Sequence, residues 1–326
     1  MMKAILVEET TQNLFIGKTE MPQMSKNDLL IKVKASALNR ADLLQKRGLY
    51  PPPPGASPIL GLEMSGIVED IGENVIGWKK GDFVCALLPG GGYAEYAVIP
   101  AAMAMRIPQN LSFEEAAAIP EVFLTAFLNM VWLGKLKKGE TILIHAGASG
   151  VGTSAIQLAR EIGARAIVTA GTDEKRSLCL SLGAEVAIDY KEGPFLQKVM
   201  DATSGKGVNL IFDFIGAPYW EQNIGSLAVD GKLILIGTMG GSKLHEVNLG
   251  KLLFKRIQVI GTALRSQPIE KKMALTKDFT EFALPKFENG HLKPIVDSIW
   301  NWDKVNEAHS YMEQNKNAGK IVLRIS

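Results

Sequence analysis

Thr141-Ile142-Leu143-Ile144-His145-Ala146-Gly147-Ala148-Ser149-Gly150-Val151-Gly152 reads as an apolar strand that runs into a glycine turn. Ala155, Ile156, Leu158, Ala159 and Ile162 then recur at helical spacing as far as Gly163. A second apolar run, Ala166-Ile167-Val168-Thr169, completes a strand-helix-strand unit. In that setting small residues let backbone N–H groups and a helix N-terminus approach a pyrophosphate, and the helix dipole favours negative charge there. A tight turn in an ordinary α/β domain is the plainer alternative, but the flanking strands favour a dinucleotide site.

Downstream, Val186 to Ile188, Val208 to Asp213, Lys232 to Gly237 and Gln258 to Thr262 continue the alternation of strands and helices. Their near-continuous apolar character predicts a doubly wound parallel sheet covered on both faces. Upstream the pattern changes to short, glycine-punctuated strands at Lys3 to Val7, Asp28 to Lys34, Gly61 to Val68, Asp82 to Leu87 and Tyr93 to Ile99, which predict a small, partly open β-barrel. A short helix is expected within Ser36 to Leu44, and Tyr50 sits at the rim of the stiff proline loop Gly48 to Gly55. Ser112 and Glu115 form a capping-box pattern, and helices from Ser112 and from Thr125 to Leu133 lead into the central strand. After a helix at Lys271 to Leu284, Ile321 to Ile325 is expected to rejoin the first domain as a strand.

The 326 residues suit about two domains at ~150 residues each. The acid at Glu8 comes too early for a secretory leader, and no apolar run approaches the ~20 residues of a membrane span. Two cysteines, Cys85 and Cys179, are too few for a disulfide scaffold, which fits a reducing, cytoplasmic setting. With 36 basic and 34 acidic residues there is no global field to steer nucleic acid. Lys251, Lys255 and Arg256 read as a solvated helix end rather than a basic stripe. The expected partner is a small molecule, with neither membrane nor nucleic acid involved.

Ala37-Leu38-Asn39-Arg40-Ala41-Asp42, Gly48-Leu49-Tyr50-Pro51-Pro52-Pro53, Leu87-Leu88-Pro89-Gly90-Gly91-Gly92 and His145 to Gly152 together resemble the zinc-free quinone oxidoreductase branch of the medium-chain dehydrogenase/reductase superfamily, the branch of the zeta-crystallins and of the tumour-suppressor-inducible quinone oxidoreductases. The resemblance covers the whole chain. It implies a doubly wound, parallel six-stranded Rossmann domain at 122–264, inserted into a GroES-like, mainly β barrel domain of 1–121 and 265–326. The implied activity is NADPH-dependent reduction of quinones between the two domains. Alcohol dehydrogenases of the superfamily hold zinc with cysteine and histidine, whereas here the matching segments carry Asn39 and Leu62, no cysteine ladder exists, and the four histidines are scattered. No metal is expected. Without a Lewis acid a conjugated acceptor, a quinone or an enone, is favoured because its charge delocalises.

By resemblance, Tyr50 faces the acceptor and Asn39 lies near the nicotinamide ribose and carboxamide; the alternatives are a tyrosine packed on prolines and a helix cap. Thr125 matches a threonine facing the same ring. Ser149, Gly150 and Val151 of the turn, Gly237, Met239 and Gly240 after the fifth strand, Ala263, Leu264 and Arg265 after the sixth, and Asn317 match the remaining cofactor-lining segments. Ser149 stands where relatives often have glycine, and Leu44 where some have tyrosine.

The cofactor choice turns on the end of the second strand. Asp173 lies 21 residues past Gly152, near the interval expected of a ribose-binding acid. Counting back from Leu182-Gly183-Ala184 instead puts the strand-end position on Ala170, followed by Gly171 and Thr172, with Asp173 in the first turn of a helix capped by Thr172. Lys175 and Tyr190 then match residues with which relatives meet the 2′-phosphate of NADPH; a solvated helix charge is the alternative for Lys175. The sixth strand, otherwise an exposed apolar edge, is expected to pair two subunits into a homodimer. Competing readings are an NADPH-dependent reductase of enals, enones or enoyl thioesters, and a cofactor- or RNA-binding crystallin-like protein.

Overall fold

The computed structural model describes residues 1–8 and 10–325. The chain divides into two units, Met1–Leu124 with Arg265–Ser326, and Thr125–Leu264.

In the first unit the strands are β1 (Met2–Val7), β2 (Leu14–Thr19), β3 (Asp28–Ala37), β4 (Glu63–Ile71), β5 (Phe83–Leu87), β6 (Tyr96–Pro100) and β7 (Ala104–Arg106). Alternation along β3 buries Leu29, Ile31, Val33 and Ala35 while Lys32 stays outside, so one face of the strand builds the core. Helix α1 (Arg40–Lys46) begins at Asn39, whose backbone N–H donates to Asp42 Oδ2 at 2.8 Å. Helix α2 (Phe113–Ala117) carries the capping box foreseen for it: Glu115 N–H donates to Ser112 Oγ at 3.2 Å and Ser112 N–H to Glu115 Oε2 at 2.9 Å.

Helix α3 (Pro120–Phe127) starts five residues before the expected Thr125 and passes into a wider π-helical turn over Leu128–Leu133. The early start follows from Pro120, whose fixed φ suits a first helical position, and from Glu63, whose Oε2 accepts the otherwise unpaired N–H of Glu121 at 2.8 Å.

The second unit holds β8 (Thr141–Ile144), α4 (Gly150–Ile162), β9 (Arg165–Ala170), α5 (Asp173–Ser181), β10 (Val186–Asp189), α6 (Leu196–Ala202), β11 (Val208–Asp213), α7 (Trp220–Ser226), β12 (Leu227–Leu235), α8 (Leu249–Lys255) and β13 (Gln258–Gly261). All six strands are parallel, in the order β10-β9-β8-β11-β12-β13. This is the doubly wound Rossmann sheet. Its core, from Leu143, Ile167, Phe195, Val199, Ile211 and Leu233, is fully buried.

The chain then returns to the first unit with α9 (Ile269–Glu288), β14 (Val296–Asn301), α10 (Val305–Glu313) and β15 (Lys320–Arg324). Strand β15 pairs with β3, giving the order β14-β15-β3-β4-β5-β7, with β6 on β3 as well. The tail therefore closes the mainly β unit. Among the described residues no helix is long and apolar enough to cross a membrane.

Candidate functional site

In the second unit the strand order reverses between β8 and β11, and such a switch point opens a crevice at the carboxyl ends of the strands. The turn after β8 lies there. Ala146 takes a left-handed φ of 50°, and Gly152 is so close to the turn that a Cβ would stand 2.4 Å from the carbonyl oxygens of Ala146 and Gly147. Only glycine fits at 152. Ser149 caps α4 by accepting from Gly152 N–H at 3.1 Å, and Gly150 and Val151 form the first, half-buried turn of the helix.

His145, at the end of β8, belongs beneath this turn. Its Nε2 lies 2.7 Å from Asn223 Oδ1 and its Nδ1 3.0 Å from Thr169 Oγ1, while its ring packs against Phe195 and Tyr219, each at 4.8 Å between centroids. Asn223 Nδ2 donates onward to Asp213 Oδ2 at 3.0 Å, and Asp213 Oδ1 accepts the N–H groups of Ile215 and Gly216. Burial pushes the His145 pKa down to about 4, so the ring is neutral and structural.

Strand β9 ends at Ala170, followed by Gly171 and by Thr172 as the N-cap of α5, its Oγ1 accepting from Lys175 N–H at 3.3 Å. Asp173 is the first residue of that helix and pairs with Arg176, which also pairs with Asp189. The acid thus sits in the helix, in the register counted back from Leu182. Tyr190 covers the strand end: a Cβ on Gly171 would stand 2.7 Å from its hydroxyl oxygen. Lys175 lies half-buried in the first turn beside them.

The loop after β12 is stitched to the loop after β11. Gly237 donates to Asp213 O at 3.3 Å, Met239 to Phe214 O and Gly240 to Ile215 O, both at 2.9 Å, and the Met239 side chain is left exposed. Ala263 and buried Leu264 follow β13, and Thr125, in α3, is buried, its carbonyl accepting from Asn129 Nδ2 at 2.8 Å.

The first unit carries a buried polar cluster. Lys320 Nζ is 2.7 Å from Glu63 Oε1 and donates to Asn39 Oδ1 at 2.7 Å and to Leu38 O at 2.6 Å. Asn39 Nδ2 donates to Glu63 Oε1 at 2.9 Å. Asp42 accepts from the N–H groups of Asn39 and Gly61 and, at 3.3 Å, from the hydroxyl of Tyr93, which also lies 3.3 Å from His309 Nε2. Burial raises the Asp42 pKa to about 6 and lowers that of His309 to about 3.

Beside the cluster, Arg265 passes over the Tyr50 ring at 5.2 Å and donates to Pro89 O, Gln45 Oε1 and Tyr50 O. Its fork is thereby committed to holding the tyrosine loop. Burial, then the Glu121 carboxyl, raises the Tyr50 pKa. Asn317 stands just before β15 and donates through Nδ2 to Gly319 O at 2.8 Å.

In this unit the sequence motifs mark Asn39, Tyr50, Arg265 and Asn317 but not Asp42, Glu63, Glu121 and Lys320. The available signal was an acid interrupting an apolar stretch, as Glu63 does between Leu62 and Met64.

Zinc does not fit this cluster. Its usual ligands are histidine nitrogen, cysteine sulfur and carboxylate oxygen, whereas here the single carboxylate beside Asn39, that of Glu63, converges with Asn39 Oδ1 and Leu38 O on the Lys320 ammonium, and no group of three or more such ligands occurs among the described residues.

Two family models match the chain: the alcohol dehydrogenase GroES-like domain over residues 25–109 and the zinc-binding dehydrogenase over residues 150–281. The human quinone oxidoreductase is 30% identical over 308 residues, 93% of this chain and 91% of its own. A mycobacterial protein whose native structure is complexed with NADPH is 30% identical with a TM-score of 0.88, each chain covered in full. The CurK enoyl reductase is 26% identical with a TM-score of 0.88, covering 100% of this chain and 99% of its own. Sheet order, glycine turn and full-length similarity agree: the chain belongs to the medium-chain dehydrogenase/reductase superfamily of nicotinamide-dependent oxidoreductases, with quinone oxidoreductases among its homologues.

Proposed function

We propose that the protein uses NADPH to reduce quinones, without zinc, residues 122–264 holding the dinucleotide and residues 1–121 with 265–326 the acceptor. The observation that carries the cofactor choice is the end of β9, where Ala170-Gly171-Thr172 replaces an acid and Lys175 and Tyr190 flank the opening. An acid there would repel a 2′-phosphate; a lysine attracts it. Bound NADPH supplies hydride. The protein's own residues bind and orient: within residues 122–264 the α4 N-terminus and the turn hold the pyrophosphate and Thr125, Met239 and Leu264 serve the nicotinamide end, while in the other unit Asn39 and Asn317 are the cofactor residues and Tyr50 meets the acceptor.

The reading of the acceptor rests on the donor set around Asn39. Lys320 already satisfies its oxygens, so stabilisation of a simple alkoxide by a metal has no support, and a conjugated acceptor needs only hydrogen-bond donors. The similarity to the CurK enoyl reductase favours a second reading, reduction of enals, enones or enoyl thioesters. A panel of quinones, alkenals, enoyl thioesters and simple ketones, each with NADPH and with NADH, separates these. Quinone turnover with NADPH supports the first reading; turnover of ketones with NADH overturns it.

A homodimer is part of the same reading. Strand β13 ends the sheet with β12 as its partner, and α8 exposes Leu253 at 74% and Phe254 at 82%. An unpaired apolar edge of this kind is met by a second copy. Light scattering at micromolar concentration is expected to give twice the chain mass, and a monomer overturns the pairing.

A further inference from the structure

Three carboxyls, those of Asp42, Glu63 and Glu121, share the polar cluster of the first unit, and their surroundings differ in one respect. Glu63 accepts from the Lys320 ammonium, the Asn39 amide and the Glu121 backbone N–H. Asp42 accepts from two backbone N–H groups and the Tyr93 hydroxyl. Glu121 Oε2 is buried and, among the described residues, has no hydrogen-bond partner. Donors stabilise the ionised form, so two of these groups are equipped to be carboxylates and the third is not.

We propose that Glu121 is held as a neutral carboxylic acid at pH 7 and is the proton donor to the acceptor. The proposal rests on the oxidoreductase reading above and goes beyond it, since none of the donors assigned there loses a proton at neutral pH. Burial first, and then the neighbouring Glu63 charge, push the Glu121 pKa up to about 8. Lys320 and Arg265 pull it down and Asp42 pushes it up, while Tyr50 and buried Lys272 complete the titratable groups around it. The Lys320 ammonium is already spent on Glu63, Asn39 and Leu38 O, and that of Lys272 on Arg265 O. Glu121 as a whole is half-buried, with Oε2 enclosed.

Hydride from the reduced nicotinamide brings two electrons and leaves the quinone as the hydroquinone anion. The Glu121 O–H bond breaks, an O–H bond forms on that anion, and the carboxylate takes its next proton from solvent. A carboxylic acid whose pKa lies near the working pH suits this transfer. Its position beside Tyr50 gives the acceptor oxygen two donors, one that only hydrogen-bonds and one that also transfers its proton.

The test uses the full chain and Glu121→Gln, which keeps size and hydrogen-bonding capacity but holds no transferable acid proton. Infrared titration of the protein without cofactor is expected to show a protonated carboxyl band at pH 7 that fades as pH rises through about 8 and is missing in the variant. With NADPH and quinone, wild-type kcat is expected to fall over the same pH range, and the variant to lose about a hundredfold in kcat with a flat profile and unchanged NADPH affinity. Absence of the band at pH 7, or a variant whose kcat and pH profile match the wild type, overturns the proposal. Wild-type protein that reduces an enone and no quinone overturns the quinone reading instead, and the same two comparisons are then made with the enone.

Discussion

Lys320 Nζ and Glu63 Oε1 lie 2.7 Å apart in a buried ion pair that fastens β15 to β4 through Asn39. Removing one partner strands the other charge in the interior, which costs about 3–5 kcal/mol. Lys320→Met is therefore expected to lower the urea midpoint sharply, and adding Glu63→Gln to restore part of the loss. Additive losses in that pair of variants would show that the two side chains are not coupled.

Lys175→Ala is expected to weaken NADPH binding by roughly ten- to a hundredfold, from a charge-assisted contact of ~1.5–3 kcal/mol, and to leave NADH nearly unchanged. Titration calorimetry with both dinucleotides checks it. Equal losses would return the ribose to Asp173, against the pairing of that residue with Arg176.

Tyr50→Phe is expected to reduce kcat for the acceptor several-fold while NADPH affinity holds, because a hydrogen bond made mainly in the transition state appears in turnover. The Arg265 contacts that hold the loop run to the Tyr50 carbonyl and ring, which phenylalanine retains. Unchanged kcat would leave the hydroxyl a bystander.

His309 is buried with its pKa lowered to about 3, against ~6.5 for an unfolded histidine. Below about pH 6.5 the unfolded chain takes up a proton that the folded one refuses, so this contribution is present above that pH and is lost as pH falls towards 3. Glu121 has the opposite sign: its raised pKa favours the folded state at low pH, and that advantage fades as pH rises to about 8. Accordingly the stability gap between wild type and His309→Gln should narrow from pH 7.5 to pH 5, while Glu121→Gln should gain on wild type from pH 6 to pH 8. Urea melts across that range decide both.

The parts of the molecule set by local pattern were legible in the residues. Six apolar runs predict the sheet, Ser112 and Glu115 their helix start, and the count from Leu182 places Asp173 in α5. Strands β2 and β7 escaped because Leu14–Thr19 is largely exposed and Ala104–Arg106 is three residues long, too weak an alternation to separate from loop. The start of α3 escaped because it depends on a carboxylate from β4. The cluster around Asn39 escaped for the same reason: Lys320 is separated from Asn39 by 281 residues, and each is an ordinary polar residue until the fold joins them.

The pairing of β15 with β3 sets an order of assembly on the ribosome. Residues 125–264 emerge as one continuous stretch and can close their parallel sheet at once, whereas the Ala35–Ala37 end of β3 waits for the final strand, with Asn39 and Glu63 lacking their cation. Nascent chains halted before residue 320 should resist protease within 125–264 and be cut within 28–71, and uniform resistance would show that the waiting segment is already folded. Until the last strand arrives, the first unit carries an open strand end and a carboxylate without its cation.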